Sequence, residues 1–91
     1  MTIKITDKKI EELRKEFKGR GTIFTYGLKY LTYSNFVVNQ QFDNKHYSPV
    51  AISDNGKSES VLGLFKTRKA AIEFGIALGL KEIPIPIISE S

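Results

Sequence analysis

The chain has no cysteine, no tryptophan and a single histidine, His46. Without cysteine there is no disulfide framework, no thiolate nucleophile and no zinc site built on sulfur. A reducing, cytoplasmic compartment suits such a chain. The acids are scattered, with no paired-carboxylate or metal-ligand spacing, and a lone histidine gives acid–base chemistry little to work with. The sequence therefore reads as non-enzymatic, with no cofactor and no metal. It also lacks an apolar run of membrane-spanning length, and no signal peptide is visible, so no membrane role is expected.

What is present describes one small folded domain. Of 91 residues, 41% are hydrophobic and 26% charged, an ordinary globular balance in a chain whose core is only just large enough. The formal charge is +4, and its placement says more than its size. Residues 1–33 carry eight Lys/Arg against four acids, whereas residues 34–91 carry six of each sign. A basic balance of this kind points weakly to polyanions, here through the N-terminal third.

The stretch Val61–Leu80 organises the rest. Val61–Phe65 is a short apolar run containing Gly63, the pattern of a buried strand with one close backbone approach. Thr67 stands where a helix N-cap belongs. From Ala70 onward, Ala71, Phe74 and Leu78 form one apolar row and Ile72 and Ile76 a neighbouring one. A lone surface helix keeps a wider polar face than this, so cover on more than one side is expected, from the sheet plus the N-terminal helix or from a second copy of the chain. Gly79 ends the helix. Gly75, inside it, implies close packing against another backbone.

Elsewhere, Thr6 or Asp7 caps a helix over 7–18 with Ile10, Leu13 and Phe17 on one face and Gly19 as its stop. Residues 22–33 fit strand or helix: alternation aligns Phe24, Tyr26, Leu28 and Tyr30, and helical spacing aligns Phe24, Leu28 and Leu31. Three strands then follow over 35–65. The first puts Phe36, Val38 and Phe42 inward, the second carries Pro49 as the mark of an edge or bulge, and Asn55-Gly56 signals the second hairpin. The expected fold is α+β: a three-stranded antiparallel sheet, four-stranded if residues 22–33 add one, packed on a C-terminal helix (67–79) and preceded by an amphipathic helix. Two prolines force an extended apolar tail over 83–88.

Within this frame, Ala51-Ile52, Asn55-Gly56-Lys57, Leu62-Gly63-x-Phe65-x-Thr67 and Ala70-Ala71, with Ala77 beyond, resemble the AP2-type DNA-binding domain, a pattern shared by the arm-binding domains of phage-type integrases. The resemblance covers about residues 34–80. It implies a sheet face laid in a DNA groove. Members of that family read DNA with arginines and tryptophans on the strands. Those are missing here, and His46, Tyr47, Lys57 and Gln40 or Gln41 stand in the corresponding region. The stretch from Phe65 to Leu80 is also similar to small accessory proteins of bacterial DNA-modification and defence clusters.

Two functions of different kind follow. In the first, the chain is a nucleic-acid-binding module of phage, mobile-element or defence-cluster type, with duplex DNA as partner. Lys66, Thr67, Arg68 and Lys69 at the helix start, with Lys57 and the basic first helix (Lys15, Lys18), would hold phosphates. His46, Tyr47 and Gln41 would touch bases. Lysines outnumber arginines eleven to three, which favours salt-sensitive, sequence-tolerant binding. In the second, Ile72 and Ile76 of the helix and Ile83, Ile85, Ile87 and Ile88 of the tail dock on a larger protein or join two copies as a homodimer.

Overall fold

The computed structural model describes residues 6–24 and 32–84. The chain is α+β. Helix α1 (Asp7–Glu16) leads to strands β1 (Gly21–Ile23), β2 (Tyr33–Gln40), β3 (Tyr47–Ser53), β4 (Glu59–Val61) and β5 (Gly63–Phe65), then helix α2 (Arg68–Ala77) and a short β6 (Lys81–Glu82). The tyrosines Tyr26 and Tyr30 and the tail isoleucines Ile85, Ile87 and Ile88 lie outside the described residues.

The sheet is wider than the antiparallel three strands expected, and it is mixed. Its order is β1-β5-β3-β2-β6, with β4 also on β3. The antiparallel centre consists of β2, β3 and the β4–β5 run. To it β1 adds an antiparallel edge on β5, and β6 a parallel edge on β2. The parallel edge follows from how α2 ends. Gly79 adopts φ +95°. Its N–H bonds the Ile76 carbonyl at 2.9 Å and the Leu80 N–H bonds the Gly75 carbonyl at 3.1 Å, a two-bond Schellman stop. Leu80 is then buried, and the Ile83 N–H reaches the Phe36 carbonyl at 2.8 Å, placing the chain alongside β2.

Pro49 is in the central strand, and its missing N–H is accommodated by a bulge. The pairing of β3 slips by one residue between Val50↔Val61 and Tyr47↔Phe65. At the slip the Pro49 carbonyl accepts from the Leu62 N–H at 2.9 Å, so the side of Pro49 without a donor faces the irregular stretch between β4 and β5. The close approach expected at Gly63 is to β1: a Cβ there would stand 2.4 Å from the Thr22 carbonyl oxygen.

One face of the sheet carries the core. Phe36 and Val38 of β2 stand beside Ala51 and Pro49 of β3, under both helices. Ile10, Leu13 and Phe17 of α1, with Ala71, Phe74 and Leu78 of α2, complete it. Thr6 and Thr67 cap the two helices, each hydroxyl accepting a backbone N–H three residues on at 3.1 Å. The sheet, the Phe17 ring just after α1 and the turn into β6 together cover α2. Ile72 is half-buried against the core, and Ile76, at 57%, is exposed.

Gly75 packs differently from the expectation. A Cβ at this position would lie 2.4 Å from the Phe36 ring, so the close neighbour is a side chain and not a backbone. The ring is fully buried and has nowhere to retreat. For Gly75→Ala, overpacking of about 1–3 kcal/mol opposes a helix-propensity gain of about 1 kcal/mol. We expect net destabilisation of about 1 kcal/mol by urea denaturation, reversed in part when Phe36→Leu is combined with it. A stabilised Gly75→Ala chain would contradict this packing.

Candidate functional site

Strand register brings the scattered polar residues of interest to one end of the sheet. Gln40, Tyr47, Phe65 and Gly21 stand opposite one another across β2, β3, β5 and β1. At roughly 4.8 Å per strand the row is about 14 Å long. One residue beyond it come Gln41 after β2, His46 before β3, Lys66 after β5 and Arg20 before β1. From Lys66 the chain enters α2 through Thr67, Arg68 and Lys69, all exposed. Arg20 follows α1, whose last turn holds Arg14 and Lys15 and is followed by Lys18. A cleft of about 260 Å³ between the two helix ends is lined by Gly19, Arg20, Lys66, Thr67 and Ala70.

Arg20 is a strut at this end. It donates to Glu73 Oε1 at 2.6 Å, and its guanidinium lies 4.0 Å over the Phe17 ring. The pair is about two-fifths exposed on both sides, so its direct contribution is about 0–1 kcal/mol. Its larger effect is geometric, holding the end of α1 beside α2 and neutralising Glu73. The exposed cations Lys18, Lys45, Lys66, Arg68 and Lys69 remain, with Asp43 as the nearest carboxylate along the β2–β3 hairpin.

That hairpin tip is rigidly built. The Gln41 N–H bonds the His46 carbonyl at 2.9 Å, closing a four-residue loop, and the Asn44 N–H bonds the Gln41 carbonyl at 3.0 Å. Asp43 Oδ1 accepts from the Lys45 N–H (2.8 Å) and the His46 N–H (3.1 Å), and Asp43 Oδ2 meets His46 Nδ1 at 2.6 Å. The Gln41 amide donates to Ser48 Oγ at 2.8 Å, and that of Gln40 to the Asn44 carbonyl at 3.3 Å. Phe42, expected to face inward with Phe36 and Val38, does not. The strand ends at Gln40, and the loop carries the ring into solvent, as exposed as in an extended peptide (104%).

Of the residues singled out from the sequence, Gln41, His46, Tyr47, Lys66, Thr67, Arg68 and Lys69 gather at this end, and Lys15 and Lys18 approach it from α1. Tyr47 lends its ring to the core, half-buried. Lys57 does not join them: it sits in the β3–β4 turn at the opposite end of β3. Arg20, Lys45 and Phe42 were not singled out. Pairing of β1 with β5 and the early end of β2, neither of which leaves a local pattern, put them here.

The face of the sheet turned away from the helices is chemically different. Asn35, Val37 and Asn39 of β2, Ser48, Val50 and Ile52 of β3, and Glu59 and Val61 of β4 alternate onto it. On these three strands no Lys or Arg joins it; the cation of this face is Lys81 of β6, exposed at its edge beside Asn35. A row of three valines, Val37–Val50–Val61, crosses its centre. Among the described residues no three His, Cys, Asp or Glu side chains group as a metal site, and no helix is long and apolar enough to cross a membrane. The chain matches no model of a known protein family, no curated protein and no solved structure.

Asp43 supplies a pH-dependent prediction. Its two backbone N–H bonds, that from Lys45 foremost, and the His46 imidazole lower its pKa from the ordinary 3.8 to about 2. A lowered carboxylate pKa stabilises the folded tip above the ordinary value, and that contribution is lost as pH falls through about 2. The Asp43 carboxyl carbon should titrate in NMR with a midpoint near 2, the Lys45 and His46 amides moving with it. A midpoint near 3.8 would mean the loop is not held by this carboxylate.

Proposed function

We propose that this protein is a non-enzymatic nucleic-acid-binding module that grips the phosphate backbone with the basic end of its sheet. The observation that carries this reading is the row Gln40–Tyr47–Phe65–Gly21, beyond which basic side chains from three separate segments converge. Lys45 belongs to the hairpin, Lys66, Arg68 and Lys69 to the entry of α2, and Lys18 to the exit of α1. Arg20 pairs with Glu73, and the five cations outnumber the other carboxylates of this end, Asp43 and Glu16, which leaves the net charge positive. Cations in the first turn of α2 oppose the helix dipole by about 0.3–1 kcal/mol. A phosphate placed among them would remove that cost while also meeting the dipole's positive end.

The resemblance to AP2-type and integrase arm-binding domains agrees with DNA as the nucleic acid and with a phage, mobile-element or defence setting. It differs over the contact surface. The valine-centred sheet face offers a duplex one cation, Lys81 at its edge, against five at the end of the sheet, so that end is the better docking edge. His46 and Gln41 are committed to holding the hairpin, and their part is to position it.

A second reading rests on the exposure of Ile76 (57%) and Ile83 (38%), two apolar side chains on and just after α2 that would suit a protein partner or a second copy of the chain.

A salt titration with a labelled duplex separates the two. Neutralising about four phosphates gives a log–log slope of roughly −3 to −4, so affinity should fall about a hundredfold between 50 and 200 mM salt. Lys66→Glu/Lys69→Glu should abolish binding without loss of fold. Absence of binding at low salt, with a dimer on a sizing column that Ile76→Ser breaks, would replace this reading by the second.

A further inference from the structure

Phe42 is the most exposed large apolar side chain among the described residues, and nothing in the fold uses its ring. Its exposure is imposed. The loop that carries it is fixed by the Asp43 carboxylate, by the Gln41–His46 closure and by Asn44 in the left-handed region at φ +59°. With the tip so held the ring stands clear of the domain, and about 1.5–3 kcal/mol of burial is forgone. The residues around it are amides, a cation and one carboxylate: Gln40, Gln41, Asn44, Lys45 and Asp43, the last bonded to the Lys45 and His46 amides. The tip also projects from the same end of the sheet as Lys66, Arg68 and Lys69.

We infer that Phe42 is a stacking platform for an unpaired nucleic-acid base, presented by the hairpin while the cations beside it hold the flanking phosphates. The inference rests on the nucleic-acid reading and narrows it, from any polyanion to one with accessible bases: a single strand, a loop or a frayed end. Charge complementarity selects this occupant. An apolar protein pocket would satisfy the ring but leave Lys45, Lys66, Arg68 and Lys69, at the same end of the sheet, without an opposite charge. A phosphate-rich strand with exposed π-faces satisfies both, and such stacking tolerates any base. An intact duplex hides its base faces and gains only the phosphate contacts.

The absence of tryptophan makes the test direct. Phe42→Trp introduces the only tryptophan of the chain at a site where a larger ring meets no neighbour. Its emission should be quenched on adding a mixed-sequence single-stranded 15-mer, with affinity kept. Phe42→Ala, at a position that bears none of the core, should weaken binding of that strand about tenfold and of the matching duplex less than threefold. Wild-type affinity of Phe42→Ala for both nucleic acids, with steep salt dependence intact, would overturn the stacking role and leave the basic end standing. Failure of the wild-type chain to bind either at 50 mM salt would remove both. A blue-shifted Phe42→Trp emission on anionic phosphatidylglycerol vesicles, with no response to the single strand, would overturn it in favour of a lipid surface.

Discussion

Three phenyl rings hold this protein together. Phe17, from the end of α1, meets Phe65 of β5 edge-on at 6.0 Å and Phe74 of α2 edge-on at 5.4 Å, and Phe65 and Phe74 lie 5.4 Å apart. All three are buried. They join three elements distant in sequence: the first helix, the third segment of the antiparallel centre and the second helix. Edge-to-face pairs add about 0.5–1.5 kcal/mol each beyond burial, a sizeable share of the stability of a 91-residue chain. The position of the cluster matters as much as its energy. Phe65 is the last residue of β5, so the same contact that closes the core fixes where the strand stops and where Lys66 leaves the sheet. The basic end is an outgrowth of the core.

That coupling explains why acidic and basic residues are distributed as they are. Arg20 lies over the Phe17 ring and reaches Glu73 of α2, so the aromatic cluster is sealed by a cation and its counter-charge. The remaining cations are left outward. Their crowding would be a liability in a protein with no anionic partner, because each repels its neighbours and those in the first turn of α2 oppose the helix dipole.

Local features were legible in the sequence wherever one interaction within a few residues decides the structure. The Thr67 cap, the Gly79 stop and the apolar rows of both helices were readable because each is a short-range pattern. Pro49 was legible as a bulge signal, although its partner at Leu62 was not. The parallel β6 edge was not legible at all: Lys81 and Glu82 have no strand pattern, and only the geometry of the Schellman stop delivers them to β2. Phe42 continued the inward alternation of Phe36 and Val38, and only the hydrogen bonds that close the loop at Gln41 and His46 end that alternation first. Lys57 is apart from His46 for a reason the sequence already contained: one follows β3 and the other precedes it, and a strand of seven residues holds its ends about 20 Å apart.

The same register bears on how a nucleic acid would be met. A sheet face in a groove needs basic side chains alternating along the strands, and here those positions are held by Asn35, Val37, Asn39, Val50 and Glu59, with Lys81 alone at the β6 edge. The cations Lys18, Lys45, Lys66, Arg68 and Lys69 occupy chain segments just outside the strands. An edge about 14 Å long spans only a few nucleotides. Such a footprint yields modest affinity from phosphates alone, and a protein built this way gains most from an added contact that does not depend on charge. The hairpin tip would offer that contact, because there the loop closed by the Asp43 carboxylate leaves the Phe42 ring outside the fold.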